Sequence, residues 1–136
     1  AFDIRRKFFH FEFFCVNDSY MPIEINCRPP GGAILDMMNH SVEDDLYAAY
    51  ARMITGQGRA MVAQKKRFYC AYVGRRDREY VFNHDQLLKQ LGDALVEFGE
   101  NPKIFQAAMS RHRYIVRSTS RERLLKMAGD IQRTKA

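Results

Sequence analysis

Long hydrophobic runs are missing from this sequence. No apolar stretch approaches the roughly 20 residues that a membrane-crossing helix requires, so no transmembrane segment is expected. The opening Ala1-Phe2-Asp3-Ile4-Arg5-Arg6-Lys7 has neither a long apolar core nor a cleavage site, and no signal peptide is read there. The chain starts on Ala1 rather than Met, which is expected of a processed or excised piece. Cysteine is scarce. Cys15, Cys27 and Cys70 form no metal-type pair and leave one thiol over, so reduced thiols in a cytoplasmic compartment are expected. No Cys/His cluster supports zinc, and no nucleophile–base pairing can be built on Ser or Cys. Repeats and low-complexity segments are absent. Gly56-Gln57-Gly58 lacks the third glycine of a dinucleotide fingerprint and follows a helix where a strand should stand, so it reads as a turn.

What is present suits one modest domain or two small lobes: 136 residues, 46% hydrophobic and 12% aromatic, enough to bury a core. The formal net charge is +6, unevenly placed. Residues 1–59 carry 6 Lys/Arg against 8 Asp/Glu, whereas residues 60–136 carry 16 against 8. The basic half could meet phosphates or nucleic acid, although a solvated basic surface has the same pattern. Lys65-Lys66-Arg67 beside Phe68 and Tyr69 could bind single strands by charge and stacking. Charge at a strand edge is the commoner cause of such a run, and Arg111, Arg113 and Arg117 are read the same way.

Residues 8–15 and 21–28 read as two strands around a loop at Val16–Tyr20. A short helix is expected at Ala33–Asn39. Ser41 and Asp44 have capping-box-like spacing and open a second helix with the stripe Leu46, Ala49, Tyr50, Met53 and Ile54, closed by Gly56. Residues 56–66 look like a crossing to a second lobe. There, strands are expected at Phe68–Val73, Tyr80–Phe82 and Tyr114–Val116, with a basic turn at Arg75–Arg78. Asn83 and Gln86 cap a helix with Leu87, Leu88, Leu91, Leu95 and Phe98 on one face, closed by Gly99. Thr119 and Glu122 cap another, with Leu124, Leu125, Ala128 and Ile131. The class is α+β.

The first two strands hold the chemistry. Side chains alternate across a strand, and the odd positions Phe9, Phe11, Phe13, Cys15, Met21, Ile23, Ile25 and Cys27 are all apolar, so that face is expected to be buried. The even face carries His10 and Glu12 on one strand, and Glu24, Asn26 and Arg28 on the other. A loop centred on Asp18 sets Glu12 opposite Glu24 and His10 opposite Asn26, and a two-residue shift would keep the same faces. Opposed side chains stand about 5 Å apart at Cβ. Like charges there repel by about 3 kcal/mol at an effective dielectric of 20, and by under about 1 kcal/mol in water. In a cleft the pair calls for a cation, and oxygen ligands such as Glu and Asn suit Mg²⁺. Arg28 adds a planar donor for phosphate or carboxylate, and Gly31 and Gly32 can expose backbone N–H groups to an anion at a helix start. A half-exposed hairpin with its polar side in water has the same alternation, and His10 beside Glu12 is expected as its hydrogen-bonded neighbour.

Phe11-Glu12-Phe13, followed by Ile23-Glu24-Ile25-Asn26-Cys27-Arg28-Pro29-Pro30-Gly31-Gly32, resembles the end of the ATP-grasp domain. It is most similar to the carboxylate–amine ligase and biotin-carboxylase-like members. Asp36-Met37-Met38-Asn39 and Asp44-Asp45-Leu46-Tyr47 fit the same pattern. The resemblance covers roughly residues 8–56; residues 60–136 match only loosely, as the lobe that often follows. It implies an antiparallel sheet from the carboxy-terminal half of an ATP-grasp domain in residues 1–59, and a small basic α+β lobe in residues 60–136. It implies that Glu12, Glu24 and Asn26 hold Mg²⁺, with Mn²⁺ a possible substitute, on the phosphates of ATP. It also implies that Arg28, with Gly31 and Gly32, meets transferred phosphate or the substrate carboxylate.

Such enzymes activate a small carboxylate as an acyl phosphate for attack by an amine or another nucleophile. The family pocket also needs an amino-terminal lobe with phosphate-binding lysines and a glycine-rich loop; Arg5, Arg6 and Lys7 have no such loop beside them. The chain alone is therefore expected to be inactive, with the amino-terminal ATP-grasp lobe as its partner and a homodimer as a further possibility. Ser19 stands in the turn where members of the family often place Gly. The alternative is a basic α+β module binding nucleic acid or protein, although nucleic acid is not the expected partner.

Overall fold

The computed structural model describes Arg5, residues 7–57 and residues 66–135. Arg6, Gly58 and Lys65, on which parts of the basic start, the crossing and the Lys65–Arg67 run were read, lie outside the described residues. The fold is mixed α+β, with antiparallel sheets and several helices. The chain divides into two compact units: Ala1–Asp36 with Asp44–Gln64, and Met37–Glu43 with Lys65–Ala136.

In the first unit, β1 (His10–Val16) pairs antiparallel with β2 (Ser19–Asn26). Asn17 and Asp18 take φ of 49° and 58°. Positive φ at both central residues is what a two-residue type I′ hairpin turn requires, and Asn and Asp tolerate it better than most residues. The loop is thus shorter than Val16–Tyr20: Val16 already pairs with Ser19. Helix α1 (Ile34–Val42), whose residues from Met37 on belong to the second unit, starts one residue later than expected and runs three residues further. Its Ser41 is not a cap; Ser41 Oγ donates to Phe68 O at 2.6 Å. Helix α2 (Leu46–Ile54) is capped instead by Asp45, which accepts from Ala48 N at 2.9 Å. It closes as the sequence suggested, on Gly56 at φ 71°. Gly56 N bonds Met53 O and Gln57 N bonds Arg52 O, the paired bonds of a Schellman ending.

The second unit holds a three-stranded antiparallel sheet in the order β3 (Tyr69–Arg75), β5 (His112–Ser118), β4 (Leu95–Glu100). Helix α3 (His84–Leu91) carries the expected Asn83–Gln86 capping box. It does not continue to Gly99. Gly92 adopts φ 49° and ψ −133°, a single 3₁₀ turn follows, and Leu95 and Phe98 enter β4. The helical spacing of Leu91, Leu95 and Phe98 was overridden by pairing with β5, where Phe98 sits opposite Tyr114. Tyr80 makes one isolated bridge to Thr134 instead of a strand over residues 80–82. Helix α4 (Gln106–Met109) is a single turn. Helix α5 (Arg121–Gln132) is capped by Ser120, one residue beyond Thr119.

Val73, Leu87, Leu91, Tyr114, Val116 and Ile131 form the heart of this unit's core, with Leu124 and Met127 of α5 completing it. Leu125 and Leu88, assigned to apolar stripes by spacing, lie exposed. Among the described residues no helix is long and apolar enough to cross a membrane.

Candidate metal-binding hairpin

A two-residue turn at Asn17-Asp18 fixes the pairs Val16–Ser19, Cys15–Tyr20, Phe14–Met21 and Phe13–Pro22. Continued unbroken, that register would set Glu12 against Ile23 and put Glu24 on the opposite face. The ladder shifts between Glu12 and Phe13, and Ile23 is the extra residue of a bulge. Beyond it Glu12 pairs with Glu24, Phe11 with Ile25 and His10 with Asn26. The two carboxylates therefore stand directly opposed on one face, with Asn26 two residues along. Pro22, which has no N–H to offer, lies beside the bulge in a strand with a free edge, where proline is tolerated.

Asn26 Nδ2 donates to Glu24 Oε1 at 2.6 Å. His10 Nε2 lies 3.5 Å from Glu12 Oε1, the neighbouring contact expected of it. No lysine or arginine among the described residues pairs with either carboxylate. On the same side of the molecule's first unit, Phe8 packs against Tyr50 of α2 with ring centroids 5.0 Å apart. His10, Glu12 and Asn26 are half-buried, while Glu24 is exposed.

The opposite face departs from expectation. Phe9, Phe11, Phe13, Ile23 and Ile25 are each about half exposed rather than buried. The bulge also redistributes the residues near the turn: Met21 joins the face of Phe14, and Tyr20 takes its place beside Phe13, 6.2 Å away edge-on. Phe9, Phe11 and Phe13 stack along the strand at 6.0 and 6.3 Å. Among the described residues, the ring contacts of this aromatic row are with one another and with Tyr20.

Arg28 and the glycines form a separate cluster. Strand β2 ends at Asn26 and the chain bends at Cys27–Arg28, so alternation no longer places Arg28 on the carboxylate face. Arg28 Nη1 donates to Pro29 O at 3.1 Å and lies over Gly31, 4.0 Å from where a Cβ would stand. Gly32, at φ 62°, makes the turn into α1. From α2, Tyr47 Oη donates to Asp36 Oδ1 of α1 at 2.8 Å, joining the two acidic segments singled out in the sequence. All three cysteines are free thiols. Among the described residues, no group of three or more His, Cys, Asp or Glu is gathered as a metal cluster. The hairpin set is two carboxylates and an amide.

The basic half spends much of its charge internally. Arg67 and Arg117 both reach Glu43, Arg113 grips Glu97, and Lys135 reaches Glu79. Lys66 lies over the Tyr69 ring and Arg117 over Phe68. One basic residue is different. Arg75, read from the sequence as the start of an exposed turn, is the last residue of β3 and is buried. Its alternation with Val73 was the signal: both lie on the strand's inward face, and a cation there is out of place in an apolar row.

In comparisons with known proteins, the chain matches no protein-family model, no curated protein and no solved structure.

Proposed function

We propose that this chain is the carboxy-terminal part of an ATP-grasp ligase, and that its hairpin supplies oxygen ligands for the divalent ion that accompanies ATP. The supporting observation is the bulged register that opposes Glu12 to Glu24, with Asn26 alongside, His10 beside Glu12, and no lysine or arginine among the described residues paired to either carboxylate. The donor set fits Mg²⁺ or Mn²⁺: carboxylates for charge, and the Asn26 Oδ1 left available while its Nδ2 holds Glu24. When bound, the metal neutralises phosphate charge during transfer to a carboxylate, which is the chemistry of acyl-phosphate formation. Arg28, exposed and committed only to a neighbouring carbonyl, is the planar donor for transferred phosphate or the substrate carboxylate. Gly31 and Gly32 keep the backbone approachable there.

The uncovered aromatic row supports the same reading, because contiguous exposed apolar surface marks a place another body covers. In this proposal that body is the amino-terminal nucleotide lobe, and an amine attacking the acyl phosphate makes the product a carbon–nitrogen bond. In the protein carrying both lobes, ATP turnover in the presence of the carboxylate is expected to require Mg²⁺ and to fall about a hundredfold or more in Glu24→Gln. In the 136-residue chain alone, Mn²⁺ is expected to broaden the amide resonances of Glu12, Glu24 and Asn26 selectively. Full turnover by the variant, or uniform broadening, would remove the metal assignment.

A further inference from the structure

The second unit has an open pocket of about 320 Å³ whose wall includes Arg75, Arg76, Arg78, His84, His112 and Tyr114. Tyr80 and Phe82 give it apolar sides. Its size falls at the lower end of small-molecule sites. A second hollow of about 300 Å³ adjoins it and shares Arg76, Arg78 and Tyr80.

Arg75 is the feature that asks for a ligand. It is 5% exposed. Nε donates to Ile131 O at 2.6 Å and Nη1 to Phe82 O at 2.9 Å, while the guanidinium lies over Tyr80 at 4.1 Å and near Tyr114 at 5.6 Å. Nη2 is buried without a hydrogen bond of good geometry, and the Tyr114 hydroxyl is the polar group beside the guanidinium. Burial pushes its pKa below the ordinary arginine value, opposed by the tyrosines Tyr114 and Tyr80. An arginine nevertheless remains charged at neutral pH. The charge thus meets carbonyls and aromatic faces and, among the described residues, no carboxylate. A buried charge is costly without an opposite partner.

The rest of the wall adds positive charge. Among the described residues no ion pair engages the side chains of Arg76 or Arg78. The one acid of the wall, Asp77, has its Oδ1 3.6 Å from Arg111 Nη1. His112 has a buried, unbonded Nδ1, with Glu100 Oε1 at 3.9 Å. His84 Nδ1 bonds the Tyr114 hydroxyl at 3.1 Å, and its ring lies 4.1 Å from Phe98.

We propose that this pocket is a binding site for a small phosphate monoester. Arg75 would supply positive charge from the wall, Arg76 and Arg78 would close on the phosphate from the rim, and Tyr80, Phe82 and Tyr114 would flank the group that carries it. Three guanidinium groups match a ligand of nearly two negative charges better than they match a monocarboxylate. The site lies wholly in the second unit and is separate from the hairpin carboxylates, so it stands or falls independently of the ligase reading.

The test is a nuclear magnetic resonance titration of the 136-residue chain with inorganic phosphate and with phenyl phosphate, against chloride at matched ionic strength. The expected result is a saturable shift of the Arg75 Nε–H signal and of the Arg76 and His84 amides, with a Kd in the millimolar range or tighter. R76A/R78A changes exposed residues and is expected to weaken binding at least tenfold. R75K, which keeps charge but loses the planar fork, is expected to do the same. Tighter binding of phenyl phosphate than of phosphate assigns the site to an organic phosphate; the reverse assigns it to the free ion. Shifts no larger than those with chloride would overturn the proposal, as would binding unchanged in R76A/R78A. That second variant decides the matter if R75K does not fold.

Discussion

Gly74 lies in β3 next to Arg75, and its missing side chain matters. A Cβ there would fall 2.9 Å from Met109 O and 2.8 Å from Ser110 Oγ. The serine hydroxyl could rotate, but Ser110 Cβ at 2.9 Å could not, and the carbonyl belongs to backbone that is fixed by other bonds: Met109 O also accepts from Tyr72 Oη at 2.9 Å and from Asn101 Nδ2 at 3.1 Å. Asn101 is buried, and its amide also reaches Ser110 O at 2.8 Å, so the loop has little room to yield. Gly74→Ala is therefore expected to destabilise the second unit by about 1–3 kcal/mol through overpacking, seen as a fall of several degrees in melting temperature. An unchanged melt would mean that the Met109–Ser110 loop gives way freely. Nothing in the sequence around Gly74 announces this constraint, because the neighbour it excludes is 35 residues away.

The hairpin shows how a turn and a bulge act together. The I′ turn sets one register and the bulge at Ile23 another, and only their sum opposes Glu12 to Glu24. Sequence reasoning reaches the same pairing by assuming a five-residue loop, because alternation constrains which faces match and not where the extra residue sits. The turn-side pairs reveal the difference: Tyr20, not Met21, shares a face with Phe13. Asp18, at φ 58°, pays a conformational cost that glycine would not. Asp18→Gly is expected to slow amide hydrogen exchange across β1 and β2 severalfold. Asp18→Val, which forces a β-branched residue into the left-handed region, should cost about 1–2 kcal/mol and speed exchange by about tenfold or more. Equal exchange in both variants would place the turn elsewhere. The helix forecast over residues 84–99 failed at a related point, since an i, i+4, i+7 row of apolar residues suits a helix, and Gly92 followed by partners on β5 made its second half a strand.

At the scale of the whole molecule, core and chemistry are unevenly divided. The second unit has a closed apolar cluster between sheet and helices, whereas the first carries a two-stranded hairpin with a bare aromatic face. Two acids in the second unit's sheet give its stability a pH signature. Burial raises the pKa of Cys70, partly opposed by a backbone hydrogen bond at Ala71 and by Arg117. Burial also raises Tyr114, partly opposed by Arg75. Each holds its proton more tightly folded than unfolded, so the associated stability is complete below the unfolded values, roughly 8.5 for a thiol and 10 for a phenol. It is lost as pH rises through the higher folded ones. The melting temperature is expected to be flat from about pH 6 to 8 and to fall above about pH 9. Cys70→Ser, whose hydroxyl does not titrate there, should remove the earlier part of that fall; an unchanged profile would show that the thiol contributes nothing.

The sequence by itself determined the α+β class, the Asn83–Gln86 cap and the Gly56 ending. Each of these depends on residues close in the chain, where backbone geometry leaves few choices. Only the tertiary structure decided that the hairpin's aromatic row stays half exposed, that β4 replaces half a helix, and that Arg75 is buried beside an open pocket that Arg76 and Arg78 also line. Those outcomes depend on which distant segments come into contact, and local periodicity carries no record of that.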